Sequence, residues 1–387
     1  MRIFISHQSQ TAIYKIRPLA EFETIKMIML SEFLVNDKTD GIGFINAIQN
    51  AGAEVLMLKN RDNETVDTNS NEKQNKFSQV KKLEKLHQST MLHESYWLRD
   101  FGPIQLEARK KSGASEQFAA NFFYNGNELD DTLPFQAAVY FGSSVLNLSI
   151  QLDGGNFLSN GESCLMTADY KLNDIKVDLA DRKQNLDRHA NLRSYLAENI
   201  GCKYTIVIES SPHPHIDMFA KFLNKETLLI ADIPENALYY LKDKLGSYEE
   251  ILKIKIRLDE IAEQLSLDFK IERLPMPMPY GKLFRSYTNS LLVNNTAIIP
   301  SYRKNALTGE RYIDDELLVA FEVDVEHIYR RHGYNVVFLP ADDLIKGGGA
   351  WRCVSIPIFE LQDKINDYTH NTILSRLFDG SLSKRLF

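Results

Sequence analysis

Short apolar runs alternate with segments of helical spacing along most of the chain. Short apolar runs bounded by polar residues predict buried strands, and apolar residues three or four positions apart predict helices packed on a core. The first unit reads as strand–helix–strand, with TIKMIML at 24–30, DGIGFINAIQNAG at 40–52 and EVLMLK at 54–59. This order is typical of an α/β architecture.

The same alternation recurs further along the chain. Strands are predicted at 117–125, 146–153, 204–210, 227–234 and 334–340, and helices at 135–142, 191–201, 235–265 and 314–332. LLVNNTAIIPSY at 291–302 predicts a hairpin turning at two asparagines. The fold class is therefore α/β. A loose repetition of helix-then-strand units runs through one predicted domain, 1–387, with a polar surface insertion at 60–90 and a peripheral tail at 360–387.

Composition narrows the classes of partner. The chain has 387 residues, 44% of them hydrophobic and 25% charged, which is enough apolar material for a large core. The net charge of -7 argues against a nucleic-acid partner, which needs a basic stripe, and is compatible with a cationic substrate. No stretch has the length of a membrane span or of a secretory signal, so no membrane partner and a cytoplasmic location are expected.

The three cysteines differ in their surroundings. An odd number with irregular spacing does not predict a disulfide framework or a metal site. Cys164 and Cys202 are expected to be ordinary buried structural cysteines. Cys353 follows the three glycines of GGGAWRC, which allow a backbone to approach a ligand closely, so its thiol is a candidate nucleophile. A buried structural role is the alternative.

The segment HPHIDMF places an imidazole beside a carboxylate. If it is a strand, His215 and Asp217 point to the same face. The carboxylate could then bind a cation while the histidine moves protons near neutral pH. A surface histidine with a neighbouring acid is the plainer interpretation.

Three more polar segments follow or precede apolar runs. Asp100 lies in WLRDFGP beside a packed Trp97, Asp153 precedes two glycines in LDGGNF, and Asn289 lies in YTNS. Turns explain each of them equally well in isolation.

The five segments taken together, in this order, resemble the agmatine deiminase and bacterial peptidylarginine deiminase family, from about Arg17 to Ile358. The matching positions are Trp97, Arg99, Asp100, Gly102 and Pro103; Gly154, Gly155 and Asn156; His215, Asp217 and Phe219 to Lys221; Tyr287 to Ser290; and Gly347 to Gly349 with Cys353.

This resemblance implies a fold and a reaction. The fold is a pseudo-fivefold α/β propeller of ββαβ units around a central channel, and no metal or organic cofactor is implied. Cys353 would attack a guanidinium carbon held by Asp100 and Asp217, His215 would move protons, and Asp153 would orient His215. The products would be ammonia and a ureido compound. The implied substrate-binding residues are Asp100, Asp217, Trp97, Asn156, Asn289, Gly348, Gly349 and Arg352.

Two departures from the family pattern bear on the substrate. Arg352 stands where histidine is common, and Asp153 is one methylene shorter than the usual glutamate. The details of the motifs favour arginine in a peptide, or an arginine-like compound, over agmatine. Amidino transfer to an amine and an inactive guanidine- or peptide-binding protein are the other interpretations. No oligomeric state is predicted.

Overall fold

The strands lie in five separate small sheets rather than in one continuous sheet. The computed structural model describes residues 13–35, 40–61, 85–111, 114–172, 189–242, 248–279, 283–304, 308–312 and 314–360. Within these residues every sheet contains the same arrangement. A first strand is antiparallel to a second, and a helix then leads to a third strand that is parallel to the second.

The described elements are numbered in chain order. The strands are β1 (Ile13–Pro18), β2 (Ile25–Ser31), β3 (Glu54–Asn60), β4 (Leu86–His93), β5 (Ile104–Lys110), β6 (Ser115–Phe123), β7 (Ser144–Gln151), β8 (Leu158–Ser159), β9 (Ser163–Thr167), β10 (Lys171–Leu172), β11 (Tyr204–Ile208), β12 (Ala220–Phe222), β13 (Thr227–Asp232), β14 (Lys270–Pro275), β15 (Leu291–Val293), β16 (Thr296–Ser301), β17 (Asn335–Pro340) and β18 (Ser355–Phe359). The α-helices are α1 (Gly41–Asn50), α2 (Leu98–Phe101), α3 (Glu128–Asp131), α4 (Leu133–Phe141), α5 (Ala190–Ile200), α6 (Glu235–Leu241), α7 (Tyr248–Leu265) and α8 (Asp315–Arg331).

Five ββαβ units make up the fold. Four are continuous in the chain: β5-β6-α4-β7, β8-β9-α5-β11, β12-β13-α7-β14 and β15-β16-α8-β17. The fifth combines β18 with β2, α1 and β3, so the C-terminal strand completes a unit that begins near the N-terminus. The structure therefore has the α/β class and the fivefold propeller that the family resemblance implies.

Burial explains which residues form each layer. The second strands are apolar runs covered on both faces; all six residues of β16, for example, are buried. The helices bury one stripe, as α7 does with Ile251, Leu258, Ile261 and Leu265. Helix α5 ends at Gly201, whose φ of 75° is a left-handed conformation suited to glycine.

The element predictions agree with the structure except around residue 90 and in HPHIDMF, where residues Ile216–Met218 form a turn. The predicted hairpin is β15–β16, turning through a left-handed Asn294. The predicted polar insertion at 60–90 was wrong in its last part, because β4 pairs in parallel with β3 from residue 86 onward. Residues 62–84 and the predicted tail at 361–387 lie outside the described residues. Within the described part of the chain, no helix combines the length and apolarity that crossing a bilayer requires.

A disulfide joins Cys164 to Cys202, which the sequence analysis did not predict. Both cysteines are buried, as expected. Cys164 lies on β9, and Cys202 lies two residues before β11, the parallel neighbour of β9, so strand pairing brings the two Cα atoms to 5.7 Å. The pair is separated by 38 positions, and such a contact between strands leaves no local pattern in the sequence.

Candidate active site

Each of the five polar segments lies immediately before the first strand of one unit. These segments include Asp100 before β5, Asp153 before β8, His215 and Asp217 before β12, Asn289 before β15, and Cys353 before β18. The first strands occupy equivalent places in the five units. Their leading ends therefore meet at one mouth of the ring, and side chains far apart in the sequence come together there.

The Cys353 thiol is surrounded by polar groups. Its Sγ accepts a hydrogen bond from Asn289 Nδ2 at 3.1 Å and lies 3.8 Å from Asp217 Oδ2. Asn289 Oδ1 accepts from the Ala350 backbone N–H, which holds the amide in this orientation. Burial, together with the negative charges of Asp217 and Asp100, raises the pKa of the Cys353 thiol well above its usual value. Cys353 is therefore a neutral thiol at pH 7.

Among the described residues, two buried carboxylates keep one oxygen each without a hydrogen-bond partner. These atoms are Asp100 Oδ1 and Asp217 Oδ1. Burial raises the pKa of Asp100 to about 7, although the cation of His215 acts in the opposite direction. A buried acceptor without a donor is costly, so the two oxygens are well suited to receive N–H groups of a cationic ligand.

His215 lies between two acids. Its Nε2 is 3.2 Å from Asp153 Oδ2, and its Nδ1 is 3.7 Å from Asp100 Oδ1. Burial acts to lower the pKa of His215, but the hydrogen bond to Asp153 and the nearby carboxylates outweigh it and raise the pKa to about 9. The imidazole is therefore protonated at neutral pH and can act as an acid. Asp153, although shorter than a glutamate, does reach the ring.

The strand interpretation of HPHIDMF was wrong. Residues Ile216–Met218 form a 3₁₀ turn, and His215 precedes that turn in extended conformation. His215 and Asp217 therefore reach the site through a turn and not by the alternation of a strand.

Arg352 points away from solvent and is held by two acids. Its Nη1 donates to Asp217 Oδ2 at 2.6 Å and its Nε donates to Glu21 Oε2 at 2.8 Å. Lys221 Nζ donates to the other Glu21 oxygen at 2.5 Å. Burial favours the neutral acid, but the charges of Lys221 and Arg352 hold the pKa of Glu21 well below its usual range. The charge of Arg352 is thus neutralised within the protein.

Glycines and an aromatic ring form the wall of the site. A Cβ at Gly349 would lie 2.8 Å from Cys353 Sγ and 2.7 Å from the Trp97 ring, and a Cβ at Gly155 would lie 2.7 Å from His215 Nδ1. Gly348 has a left-handed φ of 95° and faces open space. The Trp97 ring packs against that of Tyr96, with ring centroids 4.6 Å apart.

Asn156 does not contact the group around the thiol through its side chain. Its Nδ2 donates to the Asp169 carbonyl at 3.0 Å, and its Oδ1 accepts from the Thr167 N–H at 2.8 Å. Both ends of its amide are used to hold two backbone segments together. The expected substrate-binding role of Asn156 therefore has no support in this geometry. Glu21, by contrast, carries no motif, and sequence reasoning missed it.

The pKa of the thiol can be measured directly. Because Cys164 and Cys202 are bonded to each other, iodoacetamide should report on Cys353 alone. We expect the alkylation rate of the ligand-free protein to rise with a midpoint above pH ~8.5, the usual cysteine value. The variant Asp100→Asn should move the midpoint downward, since one negative charge is removed. A midpoint well below pH ~8.5 would contradict this description of the site.

Comparisons with known proteins agree with this arrangement. Agmatine deiminase of C. jejuni is similar in structure, with a TM-score of 0.60 at 20% identity over 89% of this chain and 96% of that one. Agmatine deiminase of Enterococcus faecalis has a TM-score of 0.61 at 16% identity, over 93% and 99% of the two chains. These likenesses establish the shared fold. No curated protein sequence matches the chain.

The family is established by a different comparison. The profile of the Porphyromonas-type peptidyl-arginine deiminases matches residues 19–358, which include all five polar segments and the five units of the ring except the last residue of β18. This chain therefore belongs to the Porphyromonas-type peptidyl-arginine deiminase family, a family of hydrolases that act on C–N bonds in linear amidines.

Proposed function

We propose that the protein hydrolyses the guanidinium group of arginine in a peptide, or of an arginine-like compound, to a ureido group and ammonia. The observation that carries the proposal is a pair of carboxylate oxygens, Asp100 Oδ1 and Asp217 Oδ1, that accept no hydrogen bond within the described residues, in a buried site that also holds a thiol. A guanidinium is planar and donates hydrogen bonds in a fork, which two carboxylates can accept together.

The bound cation also has a part in activating the nucleophile. Two carboxylates disfavour the thiolate of Cys353 in the empty site, and a guanidinium between them neutralises that effect. When the substrate is in place, the thiol releases its proton to water, because His215 is already protonated. Sγ forms a bond to the guanidinium carbon, and the Asn289 amide donates to the sulfur during the approach.

Proton transfers by His215 would complete the reaction. The imidazolium donates a proton to the departing nitrogen, the C–N bond breaks, and ammonia leaves a thiouronium on Cys353. The neutral imidazole then accepts a proton from water, whose oxygen attacks the same carbon. The C–S bond breaks, the second proton of that oxygen passes to the departing sulfur, and the ureido C=O and the Cys353 thiol are formed. The proposed role of Asp153 is to hold the ring through its contact at 3.2 Å, as the third member of a triad does.

A panel of substrates and an affinity label test this proposal. Arginine in a peptide, free arginine and agmatine are each incubated with the protein, and ammonia is measured without any added amine. We expect kcat/KM to be higher for arginine in the peptide, or for free arginine as the arginine-like compound of the panel, than for agmatine. If activity is highest with agmatine, the reaction is agmatine deimination instead. If product forms only when an amine is added, the reaction is amidino transfer.

A haloacetamidine separates an enzyme from an inactive binding protein. This probe copies the cation and carries a leaving group, so it should alkylate Cys353 in the wild-type protein. Labelling should disappear in Cys353→Ala and persist in Cys164→Ala/Cys202→Ala, in which both disulfide cysteines are replaced. Failure to label the wild-type protein, together with absence of ammonia from the whole panel, would leave only the binding interpretation.

The proposal includes a location in the cell, on which the sequence and the disulfide disagree. The sequence predicts the cytoplasm, whereas the bond between Cys164 and Cys202 favours an oxidising compartment, because disulfides persist there. We propose the cytoplasm as the starting hypothesis. The mass of the protein alkylated under denaturing conditions, directly as the cells are lysed, tests it, since one adduct per chain indicates an intact disulfide and three adducts indicate a reduced chain.

A further inference from the structure

A cavity lies at the centre of the ring, outside the group around the thiol. Its volume is about 530 Å³, including the solvent at its mouth, and its walls come from β5, β8, β12 and β18 and the segments beside them. Arg99, Arg352, Lys221, Glu21, Gln105 and Ser159 line it. Cys353, His215 and Asp100 do not, so the cavity is a second compartment that the proposed reaction leaves unused.

The charges around this cavity do not balance. Three cations line it, namely Arg99, Lys221 and Arg352, and the nearby acids are Glu21 in its wall and Asp217 behind Arg352. Lys221 and Arg352 are engaged with those acids at 2.5 to 2.8 Å. One positive charge is therefore left over, and it belongs to Arg99.

Arg99 is a buried guanidinium that forms no contact with a carboxylate in the part of the chain that the structure describes. The residue is 5% exposed, and it forms no ion pair within the described residues. Its Nε donates a long hydrogen bond, 3.4 Å, to the Arg352 carbonyl, and its Nη2 has no partner among the described atoms. Burial and the charge of Arg352 lower the pKa of Arg99 to about 10. An isolated buried charge is strongly unfavourable, so a compensating anion is expected beside it.

We propose that the central cavity binds one compact monovalent anion, a halide or a small carboxylate, against Nη2 of Arg99. Two neutral donors can complete the site. Ser159 Oγ accepts from the Gly161 N–H, which leaves its hydroxyl proton for a ligand. Gln105 Oε1 accepts from Gln117 Nε2, which leaves the amide N–H groups. Glu21 in the same wall disfavours a dianion such as sulfate, since the surplus to be neutralised is a single charge.

Bromide can reveal the site directly because it scatters X-rays anomalously. Crystals of the full chain are grown with sodium bromide as the only halide. We expect an anomalous peak within hydrogen-bond distance of Arg99 Nη2, and we expect sodium formate to remove that peak by competition. A map with water alone at Nη2 overturns the proposal. Because no activity is measured, this result is independent of whether the proposed hydrolysis is correct.

Thermal unfolding in solution gives a second measurement. At constant ionic strength, replacing sodium gluconate by sodium bromide or formate should raise Tm in a saturable way, because a ligand bound only to the folded state stabilises it. The rise in Tm should vanish in Arg99→Gln and weaken in Ser159→Ala. If Arg99→Gln does not fold, Ser159→Ala still tests the site. Arg330→Gln, which removes an exposed arginine, should keep the full rise. An equal response in wild type and Ser159→Ala, or none in wild type, contradicts the site.

Discussion

Replacing Cys353 with serine should reduce ammonia release from any guanidine substrate by at least about 10³-fold, because loss of a covalent nucleophile leaves only substrate binding and positioning. Serine has nearly the same shape and can still accept the hydrogen bond from Asn289, so the fold should be retained. The decisive measurement is kcat under saturating substrate, together with circular dichroism and Tm. Serine activity within about tenfold of wild type would contradict nucleophilic catalysis.

The disulfide supplies a matched control for this experiment. The double variant Cys164→Ser/Cys202→Ser also removes sulfur, but in a different hydrophobic cluster of the core from that of Cys353. It should lose about 2–5 kcal/mol of stability, the usual effect of removing a native disulfide, while kcat per folded molecule stays near wild type. If activity is lost in Cys353→Ser but retained in the double variant, the loss reflects the chemical role of the Cys353 thiol and not unfolding.

Replacing Asp217 with asparagine should impair both activity and stability. The change removes the acceptor that faces the proposed substrate and also breaks the 2.6 Å ion pair with Arg352, which is itself buried. Removing one partner of a buried pair commonly costs about 3–5 kcal/mol of stability. We expect a similar loss of unfolding free energy in urea and a fall in kcat/KM of about 10³-fold or more.

A double variant separates the two effects. In Asp217→Asn/Arg352→Met the unpaired cation is gone, so much of the lost stability should return, whereas the activity should not. Asp268→Asn, a change at an exposed aspartate, should leave both quantities near wild type. Recovery of activity in the double variant would show that Asp217 serves only to neutralise Arg352.

The meeting of distant side chains could be predicted from motif order, but their geometry could not. The structure places Cys353, Asp217 and Asn289 in direct contact and His215 among the acids, as the family resemblance implies. The reach of Asp153 to the imidazole depends on the short turn at Gly154–Asn156, and side-chain reach cannot be read from residue type alone.

The ion pairs of Arg352 could not be predicted from the sequence at all. The sequence left open whether this arginine would repel a cationic substrate or activate the thiol. Its partner Glu21 lies 331 positions away in the chain and belongs to no motif. A polar residue after a short strand is usually solvated, so only the closed ring shows that Glu21 is buried against two cations.

The closure of the ring has a consequence for biosynthesis. Strand β18 pairs with β2, and the nucleophile lies just before β18. A growing chain on the ribosome therefore contains His215, Asp100 and Asp217 long before it contains Cys353 or strand β18, which positions Cys353. An incomplete chain therefore cannot carry out the guanidine reaction. The active site forms only after translation has passed Phe359 and strand β18 has paired with β2.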